Sequence, residues 1–240
     1  MLLLIFIVIL LLIIIYIDWE QEIDEFKIVK REGLVYTNDN VIREIYKMMY
    51  IVDKLFRIYG IEYWVEGGTL LGAIRHKGII PWDEDLDIRV LDIYEDDINN
   101  MSKALNHFGY EIVDSWWGYK IFPTNGKIIP GMKWKFPGLD IFISVKNNDI
   151  IKFKHQKCID VFGDVTFNID DVYPLKELQF GSFKVFAPNN PTPYFDQCYG
   201  KDWYDVAYMM YDHENEKQYK TKTIVHLTDD DRVPAIPFYP

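Results

Sequence analysis

Asp85 and Asp87 stand two residues apart in the run Asp83-Glu84-Asp85-Leu86-Asp87-Ile88, where acidic and apolar side chains alternate. Read as a strand, the alternation puts Asp85 and Asp87 on one face and Leu86 and Ile88 on the other. Asp83 joins the acidic face if the extended geometry starts that early. Glu84 falls on the opposite side, where it should not coordinate. Two carboxylates about 4 Å apart repel by roughly 4 kcal/mol at an effective dielectric near 20, so a fold keeps them either exposed to water or neutralised by a cation. Leu86 and Ile88 indicate a partly buried strand and favour the cation. Clustered hard oxygen ligands select Mg²⁺ or Mn²⁺ over zinc.

Upstream, Gly67 and Gly68 end the apolar run Tyr63-Trp64-Val65 and lead into Thr69-Leu-Leu-Gly-Ala-Ile, a stretch of helical character. Paired glycines let a backbone approach a ligand closely, and N–H groups opening a helix point at anions. Gly67, Gly68 and Thr69 are therefore candidates to cradle a phosphate. A phosphate cradle beside a carboxylate metal site is what phosphoryl or nucleotidyl transfer requires. Taken singly, a glycine pair is as readily a plain turn and an acidic pair a solvated strand end. Their order and spacing make the joint signal stronger than either.

A third acid lies further on. Asp140 is the one charged residue in Gly138-Leu-Asp-Ile-Phe-Ile-Ser-Val, an apolar strand in which a charge is expensive unless paired or metal-bound. Arg75, His76 and Lys77 fall at the end of the short helix, where they could answer its dipole and solvent or contact a donor phosphate or acceptor. Trp116 and Trp117 could stack on a sugar ring or simply fill core or rim. Lys127, Lys133 and Lys135 lie in a Pro- and Gly-rich loop, 123–137, next to Asp140.

The run EGGTLLGAIRHKGIIPWDEDLDI (66–88) resembles the signature of the LicD family, which includes fukutin and fukutin-related protein. The likeness recurs more loosely at 138–143 and 174–203. It implies an α/β (α+β) fold: a nucleotidyltransferase-like mixed sheet flanked by helices. It also implies a metal-dependent phosphotransferase that moves phosphocholine or a phospho-alditol from a CDP-activated donor to a glycan hydroxyl. On that pattern Asp85, Asp87 and Asp140 hold one or two Mg²⁺ or Mn²⁺ ions, Asp140 being also the candidate base. Gly67, Gly68, Thr69 and Arg75 meet the donor phosphates. One rival is a metal-dependent glycosyltransferase using its DxD on a nucleotide-sugar, which usually needs a longer nucleotide-binding half before that motif. Another is a catalytically dead, membrane-tethered glycan-binding module.

The elements that must position these residues follow from periodicity. Residues 2–17 are unbroken apolar and cover roughly 24 Å as a helix, close to a 30 Å hydrocarbon layer. With Tyr16 and Trp19 suited to the interface, 1–19 is expected to be a transmembrane helix and 20–38 a stalk. Basic residues after the span favour a cytoplasmic domain, whereas the resemblance points to the ER or Golgi lumen. From Val41 to Tyr59 apolar residues recur at three and four, with Asn38 to Asn40 as caps and Gly60 as terminator, predicting a core helix. Residues 92–109 look like one surface helix. Strands follow at 110–114, 118–122 and 138–145, then short strands to 187 with a hairpin turn at Gly181-Ser182, then a helix to Tyr199. The catalytic domain is expected over 39–211, and the charged, proline-bearing 212–240 reads as an extended tail.

Composition narrows the rest. A chain of 240 residues, 49% hydrophobic, can bury one sizeable core. A net charge of −11 without a basic run argues against a nucleic-acid partner. Cys158 and Cys198 lack zinc-ligand spacing but could pair in an oxidising compartment. There is no GxGxxG, Walker lysine loop, GxSxG or HExxH.

Overall fold

A computed structural model describes residues 31–239. The expected anchor at 2–17 and most of the stalk lie outside them, and among the described residues no helix is long and apolar enough to cross a membrane. The first helix, α1 (Asp39–Tyr59), is capped by the Asn38 side chain, which accepts the Asn40 N–H, and stops at left-handed Gly60. Its apolar stripe, including Ile42, Ile45, Met48 and Met49, is buried in the core. There follow β1 (Tyr63–Val65), α2 (Gly67–Arg75) and β2 (Leu86–Leu91). The expected helix over 92–109 is instead a 3-10 turn and two short helices, α3 (Glu95–Asn100) and α4 (Ser102–His107), hinged at buried Met101.

The chain then lays down β3 (Tyr110–Ser115), β4 (Gly118–Pro123), the small ribbon β5 (Lys127–Ile128) and β6 (Lys135–Phe136), β7 (Leu139–Asn147) and β8 (Ile150–Phe153). After α5 (Gln156–Phe162) come β9 (Thr166–Asn168), α6 (Ile169–Val172), the hairpin β10 (Lys176–Phe180) and β11 (Phe183–Ala187), and α7 (Thr192–Cys198). One mixed sheet runs β1-β2-β7-β4-β3, extended by β8 on β7 and β9 on β8. Only β2 and β7 pair in parallel within it; the other pairs are antiparallel. The mixed α/β architecture is the expected one.

Register decides what meets what. Asp87 lies opposite Asp140, and Asp140 lies opposite Lys120. Residues opposite one another project to the same face. On the other face Leu86, Ile88 and Val90 line up with Leu139, Ile141 and Ile143, all buried. Burial of these rows, at roughly 1.5–3 kcal/mol per large side chain, holds the register, since a one-residue slip would put the acids into the core.

The extended tail expected from 212 is not what forms. The strands β12 (Val206–Asp212) and β13 (Lys217–His226) pair as a hairpin across that boundary. Beyond it the chain returns to the body: Ala235 donates its N–H to Ile79 O at 2.8 Å, and Phe238 packs edge-on to Tyr46. Lysines and glutamates are interspersed here with the strand formers Tyr219, Thr223, Ile224 and Val225, so the stretch carries a polar average and still pairs as a strand.

Candidate active site

The sheet brings Asp85, Asp87 and Asp140 together, each offering an oxygen within 4.8 Å of the others. Asp87 and Asp140 come from neighbouring strands, and Asp85 from the residue just before β2. Asp140 Oδ2 takes a salt bridge from Lys120 Nζ at 3.0 Å, whereas Asp140 Oδ1 is buried with no hydrogen-bond partner. Burial, together with Asp85 close by, pushes the Asp140 carboxyl up to about 6 although Lys120 pulls the other way. Burial and then Asp85 and Asp140 drive Asp87 well above the carboxylate range, and burial and Asp85 do the same to Asp83. Lys120 goes up as well, because Asp140 and Asp85 outweigh the burial that opposes its charge. Crowded acids held above their normal range, with one oxygen orphaned, fit a divalent cation bound by hard oxygen ligands.

The glycine bend serves the acids first. Gly67 has φ +58, and a β-carbon there would overlap Asp87 Oδ2; one on Gly68 would overlap Asp83 Oδ2. Gly67 N–H donates to the Tyr194 hydroxyl at 3.0 Å. Thr69 Oγ1 accepts the Asp87 N–H at 2.8 Å, pinning the start of β2 to the start of α2. The N-terminus of α2 thus opens onto Asp83 and Asp87, and an anion fits there only with a cation between.

Arg75 lines the cavity that lies over these acids, but Nη1 donates to Trp203 O at 2.7 Å and Val206 O at 2.8 Å, fastening the chain entering β12. Burial lowers its pKa to about 10. His76 is buried edge-on to Trp82, and burial and Arg75 depress it to about 2, so it is neutral and no proton donor. Lys77 Nζ donates to Ile74 O at the end of α2. Lys127 pairs with Glu214 and Lys135 with Glu111, while Lys133 is exposed; none of them lines the cavity. Both cysteines are free thiols.

The cavity over the acids holds about 790 Å³. Trp117, Trp134 and Phe142 wall one side, and Trp116 at the rim stacks on Phe162 at 5.9 Å. The hairpin walls the other with Tyr208, Met209 and Tyr211. Its turn is tied to the acidic segment: His213 Nδ1 lies 3.1 Å from Asp85 Oδ2, and Glu84 Oε1 accepts the His213 N–H at 2.6 Å. Glu84 is therefore occupied away from the Asp85–Asp140 cluster. Trp134 Nε1 donates to Glu216 Oε1 at 2.8 Å. Behind the site, Glu66 at the cap of α2 pairs with fully buried Arg89 of β2, whose guanidinium lies 4.0 Å over Phe153.

Sequence reading missed Lys120, His213 and Arg89. Lys120 is a lone charge in the apolar strand Gly118-Tyr-Lys-Ile-Phe, the same signal that singled out Asp140. His213 sat in the stretch read as a tail.

The family described as LicD/FKTN/FKRP, nucleotidyltransferase domain, matches residues 60–190. An uncharacterised protein of Rickettsia typhi is 32% identical over 226 residues, 92% of this chain and 64% of that protein. The mouse (Mus musculus) ribitol 5-phosphate transferase FKRP is 30% identical over 155 residues, 63% of this chain and 30% of its own length. The lipopolysaccharide cholinephosphotransferase LicD of Haemophilus influenzae is 67% identical over 30 residues, 12% of this chain and 11% of that protein. The chain thus spans less than two thirds of each of these relatives. Among solved structures, the lincomycin-bound lincosamide antibiotic adenylyltransferase LnuA superposes with a TM-score of 0.37 at 18% identity, over 64% of this chain and 82% of that one, too loosely to argue from.

Proposed function

The chain belongs to the LicD/FKTN/FKRP nucleotidyltransferase-domain family, and we propose that it is a metal-dependent phosphotransferase. It moves phosphocholine or a phospho-alditol from a CDP-activated donor to a glycan hydroxyl. The observation that carries this reading is the convergence of Asp85, Asp87 and Asp140 within 4.8 Å at the floor of the cavity. These three carboxylates would hold Mg²⁺ or Mn²⁺, which when bound would neutralise phosphate oxygens of the donor.

In the reaction the acceptor oxygen bonds to the donor's distal phosphorus as the bond from that phosphorus to the bridging oxygen breaks. The bridging electron pair leaves with CMP, and the acceptor proton passes to Asp140. Such a transfer rests mainly on positioning and charge neutralisation. Thr69 fixes the Asp87 backbone, Glu66 and Arg89 fix the root of α2, and the aromatic walls exclude water. The apolar run 2–17 would tether this domain to a membrane.

The test is donor consumption by the full chain with Mg²⁺ and a glycan acceptor, read by mass spectrometry. CMP released from CDP-choline or CDP-ribitol is expected. Consumption of UDP- or GDP-sugars instead would reassign the chain to the glycosyltransferases, and no metal-dependent nucleotide binding at all would mark it as catalytically dead.

A further inference from the structure

Two oxygens of the acid cluster already have partners. Asp140 Oδ2 is held by Lys120 Nζ at 3.0 Å, and Asp85 Oδ2 lies 3.1 Å from His213 Nδ1. Asp140 Oδ1, by contrast, is buried with no partner. Lys120 is not a surface lysine that has wandered in. It is 5% exposed, opposite Asp140 in the sheet register, with Nζ 5.7 Å from the Trp117 ring and 5.5 Å from the Trp134 ring. Of the other basic residues lining the cavity, Arg75 spends Nη1 on two carbonyls and His213 faces Asp85.

Phosphoryl-transfer centres with two ions set the second about 3.5–4 Å from the first, on shared carboxylates. Here one oxygen of the cluster, Asp140 Oδ2, carries an ammonium group instead. Resting on the function proposed above, we propose that this is a one-ion centre in which Lys120 is the second cation and a catalytic residue. The single ion would be held by Asp85, Asp87 and Asp140, where Asp140 Oδ1 is left without a partner. Lys120 Nζ contacts the oxygens of the phosphoryl group in flight. As the acceptor oxygen–phosphorus bond forms and the bond to CMP breaks, negative charge spreads over those oxygens. Lys120 offsets it without giving up a proton. A lysine serves here as a compact point charge with rotatable donors, able to keep Asp140 while reaching a phosphate oxygen.

The first test counts ions and needs no donor. Free Mn²⁺ is followed by electron paramagnetic resonance while MnCl2 is added to the full chain. One ion per chain is expected for the wild type, and Lys120→Arg keeps that number. Lys120→Met gains a second ion or binds the first at least tenfold more tightly, because Asp140 Oδ2 is released. Two ions in the wild type, none, or a Lys120→Met protein unchanged in number and affinity would overturn the proposal. Near-UV circular dichroism checks that Lys120→Met folds; if it does not, the wild-type count decides alone.

The second test is kinetic, at saturating Mn²⁺ with whichever CDP-alcohol the wild type consumes. Removing a preorganised transition-state donor typically costs about 10²–10³ in kcat, so Lys120→Met should fall in that range with a much smaller change in KM. A kcat within tenfold of wild type contradicts the catalytic role. A wild type that binds one ion but consumes no CDP-alcohol counts against the phosphotransferase reading and leaves the ion count standing.

Discussion

The floor and the hairpin wall of the cavity are built in opposite ways. The floor is sheet: Asp87, Asp140 and Lys120 are neighbours in register on β2, β7 and β4, fixed by backbone pairing and by the apolar rows beneath. The wall is the β12–β13 hairpin, and its turn is held to the floor by polar contacts, His213 to Asp85 and the His213 N–H to Glu84. Geometry set by a ladder changes only if the sheet does. Geometry set by a few exchangeable polar contacts depends on the charge state and occupancy of the site. The floor should therefore govern whether chemistry happens, and the wall how well substrate is held.

The largest expected effect is on the floor. Asp87→Asn should abolish turnover, by at least about 10³-fold, and also raise the melting temperature of ion-free protein, because it removes a charge that burial and two acids disfavour. Loss of activity with a lowered melting temperature would instead mean that Asp87 is structural. Gly67→Ala comes next. The left-handed backbone and the overlap with Asp87 Oδ2 should displace that carboxylate and cost about 10²-fold in kcat/KM. A fully active Gly67→Ala enzyme would show that the acids tolerate movement.

Acid stability offers a third handle. The Asp140 carboxyl is raised to about 6 in the fold, so its contribution to stability is fully present below its unfolded value near 4 and is lost as pH rises through 6. Ion-free protein should accordingly be more stable at pH 5 than at pH 7, by about 1 kcal/mol from this group. Saturating Mg²⁺ should flatten the dependence. Denaturant melts with EDTA and with Mg²⁺ measure it, and an ion-free protein equally stable at both pH values would contradict the electrostatic picture. The smallest effect belongs to the wall. Glu84→Gln weakens the hold on the hairpin turn and should raise KM a few-fold, roughly 1 kcal/mol or less, with kcat nearly unchanged. A large fall in kcat there would erase the distinction between floor and wall.

The same contrast explains what the sequence disclosed. Alternation in Asp85-Leu-Asp87-Ile and a solitary charge in Leu139-Asp-Ile-Phe-Ile are local patterns, and strand pairing turns them directly into a site. Lys120 carried the same solitary-charge signal but needed its partner strand to give it meaning. The charge of Arg75 suits a donor phosphate, and the structure adds that its Nη1 holds two backbone carbonyls, a tertiary choice no local pattern records. The hairpin was hidden because its charged residues look like a solvated tail and its partner lies in the folded body. The glycine pair allows close approach of a ligand, and in the structure the groups approaching Gly67 and Gly68 most closely are the carboxylates of Asp87 and Asp83.

The central claim is that Asp85, Asp87 and Asp140 bind a divalent ion together. Crystals grown with MnCl2, measured at a wavelength where manganese scatters anomalously, address it directly. The account predicts one anomalous peak in contact with oxygens of all three residues. A map with no peak there, or with the ion on other side chains while Lys120 fills the space between the acids, would contradict it.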